Sequence, residues 1–139
     1  MNSLLQYFSK QPIIAIVGLG YVGLPLAIEF AKRYKVVGFD VKKSRIEQLR
    51  SGKDMTGEVT SSVLNIFSSI KGKFLTDSSG LFLSHDVEDI VDSNFYIITV
   101  PTPINKNKEP NLSYLFSATE MVAKVLKRGD IVIYESTVY

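Results

Sequence analysis

Three glycines lie in the turn between the first strand-like run and the first helical segment of the sequence. Residues 13–17 are all apolar, which is typical of a central strand in a parallel sheet. The turn reads GLGYVG, and residues 24–34 then repeat apolar side chains at helical spacing. In such a turn the first glycine permits a tight bend, the second lets a diphosphate approach the backbone, and the third lets the helix pack against the strand. This order predicts a dinucleotide-binding βαβ unit with Gly18, Gly20 and Gly23 in its phosphate loop.

An aspartate ends the second predicted strand, residues 35–40, and lies 22 residues after the first glycine. That spacing is close to the roughly 20 residues typical of the acid that binds the adenosine ribose. The same spacing disfavours the alternative interpretation, in which the glycines only form a turn and the aspartate is an unrelated surface residue. Asp40 would repel a 2′-phosphate, which favours NAD over NADP. Lys42, Lys43 and Arg45 could accommodate that phosphate, but we place the lysines on a solvated helix face and Arg45 over the adenine end. NAD is therefore the predicted cofactor.

Short β-rich runs alternate with helical segments along the rest of the chain. Helices are predicted at residues 42–51, 61–70, 87–92 and 112–127, and strands at residues 95–100 and 131–135, with one or two short strands within 73–86. This alternation produces right-handed crossovers and a parallel sheet covered on both faces. The predicted fold class is therefore α/β, a Rossmann-type doubly wound parallel sheet with helices on both faces, as one domain over residues 1–139.

Polar or rigid residues follow two further predicted strands. Val100, Pro101 and Thr102 end the strand at 95–100 in a loop stiffened by proline, which holds the threonine hydroxyl in place. Ser136 and Thr137 follow the last strand. Ligands of doubly wound sheets bind beyond the carboxyl ends of the strands, so we predict that these five residues line the cofactor crevice. Without the glycine turn, both segments would be interpreted as ordinary strand-ending turns.

Composition excludes several other classes of site. The 139 residues, 45% of them apolar, suffice for one domain with its own core. The chain has no cysteine and one histidine, which excludes disulfides and a cysteine nucleophile within it and disfavours a metal site. Sixteen basic against fourteen acidic residues, scattered along the chain, do not indicate nucleic acid. No apolar run reaches membrane-span length and residues 1–11 lack the features of a secretory signal, so we expect a cytoplasmic protein without a membrane partner.

Several titratable side chains that could be taken for catalytic residues are interpreted as structural. The single histidine, His85, is expected in an exposed loop, and Glu135 either is buried or caps a strand end. Glu88, Asp89 and Asp92 are expected on the solvated face of a short helix. No catalytic residue and no metal ligand is therefore predicted within the chain.

Four segments together resemble the UDP-glucose/GDP-mannose dehydrogenase family. They are IAIVGLGYVGLPLA at 14–27, FDVKKSRIEQL at 39–49, VPTPI at 100–104 and YESTVY at 134–139. They occur in the family's order and span nearly the whole chain. The loops GKDMTGEV at 52–59 and TVPTPINKNKEPNLS from residue 99 look most like the branch that oxidises UDP-N-acetylglucosamine or UDP-N-acetylgalactosamine.

The resemblance implies an activity and a set of cofactor contacts. Family members use two NAD+ to oxidise the C6 alcohol of a nucleotide sugar to a carboxylate, through a thiohemiacetal and a thioester, for surface polysaccharides. By matching motif, Tyr21 and Val22 would contact the diphosphate, and Arg45 the adenosine end. Thr102 would line the cofactor site, and Thr137 would lie near the nicotinamide and help to hold a catalytic water. Asp40 would bind the ribose, as its spacing already predicts.

The family's nucleophilic cysteine, with its lysine, asparagine and glutamate helpers, lies downstream of the part that this chain matches. The resemblance therefore implies the N-terminal cofactor domain of a longer, homodimeric enzyme, without the central helix and the UDP-binding C-terminal domain. Alone, such a domain is expected to bind NAD and to leave the sugar unoxidised. Two alternatives stay open at this point: the cofactor domain of another NAD(P)-dependent dehydrogenase, and a stand-alone NAD(H)-binding regulatory module.

Overall fold

Five parallel strands form one sheet with helices on both faces. The computed structural model describes residues 11–67 and 78–136. The strands are β1 (Ile13–Val17), β2 (Lys35–Phe39), β3 (Gly80–Ser84), β4 (Phe95–Ile98) and β5 (Ile131–Tyr134). The helices are α1 (Gly23–Ala31), α2 (Lys43–Arg50), α3 (Ser61–Phe67) and α4 (Ser113–Val125), with a 3₁₀ turn at Val87–Ile90. The predicted α/β class and doubly wound arrangement are confirmed.

The sheet order is β3-β2-β1-β4-β5, and every neighbouring pair is parallel. The chain therefore builds the sheet in one direction from β1 to β3, and then restarts on the other side of β1 with β4. Strand order reverses between β1 and β4, which is where ligands bind in sheets of this kind.

The register brings the carboxyl ends of three strands to one level. Val17, the last residue of β1, pairs with Phe39 on one side and with Ile98 on the other. The residues that follow these three strand ends therefore lie side by side at one edge of the sheet. That edge carries the glycine turn, Asp40 and Thr99.

The central strand β1 divides the core into two layers. Ile14 and Ile16 pack on one face against α1, α2 and α3, whereas Ala15 and Val17 pack on the other against α4 and the 3₁₀ turn. Residues 14–17 are all buried, as the uninterrupted apolar run predicts. Complete burial of one such aliphatic side chain contributes about 1.5–3 kcal/mol. The core thus anchors the strand that leads into the glycine turn.

Several element boundaries differ from prediction. Helix α1 ends at Ala31 instead of Tyr34, and the predicted helix at 87–92 is a single 3₁₀ turn, with Asp86 accepting a hydrogen bond from the Glu88 amide at 3.1 Å. Residues 68–77, with parts of two predicted elements, lie outside the described residues. The expectation that Asp89 faces solvent is wrong. Asp89 is half-buried, and its carboxylate accepts a hydrogen bond from the Ser84 hydroxyl at the end of β3.

Candidate cofactor site

Two of the three loop glycines are required by the fold itself. Gly18 has φ +105°, and a Cβ there would lie 3.1 Å from the Val100 amide nitrogen. A Cβ at Gly23 would lie 1.8 Å from the Gly18 carbonyl oxygen and 2.5 Å from the Thr99 hydroxyl. No side chain can be placed at that distance, so Gly23 lets α1 start directly against the turn. These two positions match the roles that the sequence motif assigns to them.

Gly20 differs from the other two, because nothing in the described protein requires a glycine there. Its φ lies outside the left-handed region, and a Cβ at this position would meet no heavy atom within 4 Å. The missing side chain therefore leaves open space in front of the backbone. A diphosphate that approaches the chain closely would need that space, so this position fits the dinucleotide predicted by the motif.

The backbone amides at the start of α1 add a site for negative charge. Within the described residues, the amides of residues 20–23 have no hydrogen-bond acceptor. The N-cap residue Val22 supplies no side-chain cap, and the first turn has no acidic residue. Free amides and the positive end of the helix dipole both favour a bound phosphate.

Asp40 lies at the end of β2 and is hydrogen-bonded to the glycine turn. Its Oδ2 accepts from the Leu19 amide at 3.0 Å, and its Oδ1 accepts from the Lys42 amide at 2.9 Å. The residue is only partly buried. Since each carboxylate oxygen accepts more than one hydrogen bond, both can still accept from the hydroxyls of a ribose. Asp40 is thus oriented by the protein before any ligand binds.

Arg45 reaches back from α2 to the same turn, where its partners are protein atoms. Its Nε donates to the Leu19 carbonyl oxygen at 2.9 Å, and its Nη2 binds Asp54 Oδ1 at 2.8 Å. The Arg45 side chain is 11% exposed. Asp40 and Arg45 therefore hold the two polar groups of one residue, Leu19, and fix the conformation of the glycine turn.

Asp54 was missed in the sequence and organises the loop that follows α2. Its side chain has 0% exposure. Burial by itself would raise its pKa, but hydrogen bonds from Thr56 and Arg45 and from the amides of Thr56 and Val59 lower the pKa to about 2. The Glu58 amide donates to it as well, at 3.0 Å. The only local signal is an aspartate two residues before a threonine, a pattern common in turns.

Thr99 is a second residue that the sequence did not reveal, because it lies inside the apolar run FYIITV. It is buried, and its hydroxyl donates to the carbonyl oxygens of Gly18 at 2.6 Å and Val17 at 3.2 Å. Its amide also donates to Val17 at 2.9 Å. Thr99 therefore ties the end of β4 to the start of the glycine turn.

The remaining predicted residues lie at the ends of β4 and β5. Val100 contacts the glycine turn through the close approach at Gly18, while Pro101 is exposed and Thr102 is partly buried. The Ser136 hydroxyl donates to the Val100 carbonyl oxygen at 2.7 Å, which connects the two strand ends. Thr137 lies outside the described residues.

An open groove of about 700 Å³ adjoins the glycine turn. Tyr21 and Val22, which are 69% and 55% exposed, line it together with Ile97, Ile133 and Glu135. Glu135 and His85 are exposed, which agrees with a solvent-facing loop for the histidine and leaves no buried acid at 135. The groove places apolar side chains of α1, β4 and β5 next to the glycine turn.

Metal binding and membrane insertion both depend on how side chains group within residues 11–67 and 78–136, the ranges that the structure describes. Within these ranges, no three histidine, cysteine, aspartate or glutamate side chains come close enough to hold a metal ion. No helix in the same ranges is long and apolar enough to cross a bilayer.

Comparison with known proteins identifies the family. A model described as UDP-glucose/GDP-mannose dehydrogenase family, NAD binding domain, matches residues 13–139. The UDP-N-acetyl-D-glucosamine 6-dehydrogenases of Salmonella typhi and Pseudomonas aeruginosa are 53% and 49% identical to this chain over 126 residues, 91% of this chain and 27% of each relative. The solved structure of a UDP-D-ManNAc dehydrogenase from Pyrococcus horikoshii is 40% identical, with a TM-score of 0.74, over 90% of this chain and 28% of that one.

The chain thus spans little more than a quarter of the length of these relatives. The family match begins at the first residue of β1 and includes the glycine turn, Asp40 and the ends of β4 and β5. With about half of the residues identical to two curated relatives, the chain belongs to the UDP-glucose/GDP-mannose dehydrogenase family and forms its NAD-binding domain.

Proposed function

We propose that NAD binds across the switch between β1 and β4, with its diphosphate on the amides of residues 20–23. The observation that carries this proposal is the open space at Gly20, which the packing of the described protein does not require. The adenosine ribose then lies against Asp40, whose two oxygens are already aligned by Leu19 and Lys42. Tyr21 and Val22 contact the diphosphate, and Arg45 lies at the adenosine end behind the Leu19 carbonyl.

The nicotinamide end of the cofactor is proposed to extend toward the ends of β4 and β5. Val100, Pro101 and Thr102 follow one strand, and Ser136 and Thr137 follow the other. The hydrogen bond between Ser136 and Val100 supports a common wall at this end. When bound, NAD+ supplies a hydride acceptor. The role of this chain is then to orient the cofactor and to exclude water from one side of it.

We propose further that the domain serves an enzyme that oxidises C6 of a UDP-N-acetylhexosamine to the uronic acid, for surface polysaccharide synthesis. About half of the aligned residues are identical in two relatives named as UDP-N-acetyl-D-glucosamine 6-dehydrogenases, and this supports the choice of sugar. Conversion of an alcohol to a carboxylate removes two hydrides and adds the oxygen of one water, so each sugar consumes two NAD+. The homodimer implied by the resemblance and the cytoplasmic location expected from the sequence belong to this proposal.

The chain alone is proposed to bind NAD without oxidising a sugar. A covalent thiohemiacetal needs a cysteine, and these 139 residues contain none. The nucleophile must therefore come from a part of the enzyme outside this sequence. Turnover of a UDP-sugar by the purified chain would contradict this division of roles.

Calorimetric titration of the purified chain with NAD+ and, separately, with NADP+ tests the proposal. We expect NAD+ to bind and NADP+ to bind much more weakly, because Asp40 repels the 2′-phosphate. Equal or tighter binding of NADP+ would contradict the assignment of Asp40. Absence of NAD+ binding, with the fold verified by circular dichroism, would contradict a self-sufficient cofactor site in this domain.

A further inference from the structure

Arg45 lies beside the carboxylate that is proposed to bind the adenosine ribose. Asp40 accepts from the amide of Leu19, and Arg45 donates to the carbonyl oxygen of the same residue. In dinucleotide-binding folds that use NADP, an arginine in this neighbourhood accommodates the 2′-phosphate. The chain therefore carries, next to its ribose acid, a cation of the type that favours the phosphorylated cofactor.

That cation is held by Asp54. The distance from Arg45 Nη2 to Asp54 Oδ1 is 2.8 Å, and the side chains are 11% and 0% exposed. A second guanidinium nitrogen, Nε, is used by the Leu19 carbonyl. Solvent screens charges only weakly at such a buried position. The Asp54 carboxylate therefore cancels much of the positive field of Arg45.

Asp54 is itself fixed rather than adaptable. Its oxygens accept from the Thr56 hydroxyl at 2.7 and 2.9 Å and from the amides of Thr56, Glu58 and Val59, each at 3.0 Å. Hydrogen bonds to an ionised carboxylate are strong, and this set comes from a single short loop. Arg45 therefore cannot leave Asp54 to meet a ligand without leaving a buried carboxylate unpaired, which is costly.

We propose that Asp54 is a specificity-determining residue, which pairs with Arg45 and so denies this cation to the 2′-phosphate of NADP. The repulsion by Asp40 then acts without a compensating positive charge. This inference rests on the proposed cofactor site and adds to it a residue that acts through Arg45. It also gives a function to the loop at 52–59 beyond connecting α2 to α3.

The test is the ratio of the dissociation constants of NADP+ and NAD+, measured by calorimetry on the chain with Asp54→Asn. We expect the ratio to fall about five-fold, because the freed Arg45 would then meet the 2′-phosphate as a partly solvent-exposed charge pair. The gain should shrink at high salt, because it comes from a charge. A purely structural role would weaken both cofactors equally and leave the ratio unchanged.

Two matched controls separate charge from loop stability. Glu47→Gln removes a negative charge from α2, where Glu47 is exposed and lies 3.8 Å from Lys43, and it should leave the ratio unchanged. Thr56→Val removes a hydroxyl from Asp54 without changing the charge. Any loss of affinity in Thr56→Val should be by the same factor for NAD+ and for NADP+.

Arg45→Met combined with Asp54→Asn removes the cation and its partner together and leaves no buried carboxylate unpaired. If the gain in Asp54→Asn comes from the freed Arg45, this double variant should return the cofactor ratio to that of the unmodified chain. A ratio in the double variant as low as in Asp54→Asn would overturn the inference, as would an unchanged ratio in a folded Asp54→Asn chain. Failure of the unmodified chain to bind NAD+ would instead contradict the proposed function, and the inference with it.

Discussion

The hydroxyl of Thr99 donates to the carbonyl oxygen of Gly18 over 2.6 Å, which links two residues 81 positions apart in the sequence. This hydrogen bond joins the first strands of the two halves of the sheet at the point where strand order reverses. Because Gly18 begins the glycine turn, the position of that turn depends on β4 as much as on β1.

Thr99→Val keeps the shape of the buried side chain and removes only its hydroxyl. We expect the free energy of unfolding to fall by about 1–2 kcal/mol, because the Gly18 carbonyl loses its hydrogen-bond donor. Urea denaturation followed by circular dichroism measures this change. Thr119→Val is the matched control, since the Thr119 hydroxyl bonds the Leu115 carbonyl within α4, where the helix tolerates its loss, and the exposed Tyr134 hydroxyl, where water can replace it. Equal effects of the two substitutions would argue against a special role for Thr99.

Gly20→Ala and Gly23→Ala make the same chemical change three residues apart. The first should weaken NAD binding and retain stability, whereas the second should destabilise the fold. At Gly20 the added methyl group meets nothing within 4 Å, so stability should be retained. NAD affinity should fall at least about ten-fold, equivalent to roughly 1.4 kcal/mol, because the methyl group occupies the space of the diphosphate.

At Gly23 the methyl group would overlap the Gly18 carbonyl oxygen at 1.8 Å. We expect a loss of about 3 kcal/mol or more in stability, because backbone must move to relieve this overlap. Thermal melts and NAD titrations of both variants provide the measurement. Unchanged NAD affinity in the Gly20 variant would remove the main support for the cofactor site.

Lys127 lies at the opposite edge of the sheet from the proposed cofactor site. Its ammonium donates to the carbonyl oxygens of Val91 and Ser93 and to Asp130, and it lies 5.8 Å from the centre of the Tyr96 ring. Burial works to lower the pKa of Lys127, but Asp130 and Tyr96 raise it overall.

Lys127→Met should therefore lower stability by about 1–2 kcal/mol, since two carbonyl groups lose a charged donor. NAD affinity should stay unchanged, because the substituted residue lies away from the strand ends that form the site. Lys124→Met, a change on an exposed residue of α4, is the matched control and should have little effect on either quantity. Chemical denaturation and calorimetry of the same samples would reveal any deviation.

Acid should destabilise the chain in part through Asp54. Its pKa in the folded state is about 2, against an ordinary value of 3.8. A carboxyl group with a lowered pKa stabilises the fold above its unfolded pKa, and this contribution is lost as the pH falls from about 4 to about 2. The shift corresponds to stabilisation on the order of 2 kcal/mol at neutral pH.

We expect the stability of Asp54→Asn to depend less on pH than that of the unmodified chain over this interval. Denaturation curves at successive pH values measure the difference. Glu47→Gln, which changes an exposed carboxylate, should retain the full acid dependence. Identical pH profiles for Asp54→Asn and the unmodified chain would show that Asp54 does not titrate as its contacts indicate.

The sequence by itself determined the type of fold and the main outline of the candidate site. The apolar run at β1, the spacing of Gly18, Gly20 and Gly23, and the distance to Asp40 are local patterns. They report backbone conformation and chemistry within a single βαβ unit, which adjacent residues control directly. The α/β class and the dinucleotide motif could therefore be predicted without knowledge of distant contacts.

The tertiary structure decided which residues hold that site in position. Thr99 looks like one more member of an apolar strand until β4 pairs with β1 and brings its hydroxyl to Gly18. Asp54 looks like a loop residue until α2 packs on the sheet and presents Arg45 to both Asp54 and Leu19. The Thr99 hydrogen bond needs the strand register that pairs β4 with β1, and the Arg45–Asp54 pair, nine residues apart, needs the packing of α2. Local spacing carries no record of that register, and this is why these two residues emerged only from the folded chain.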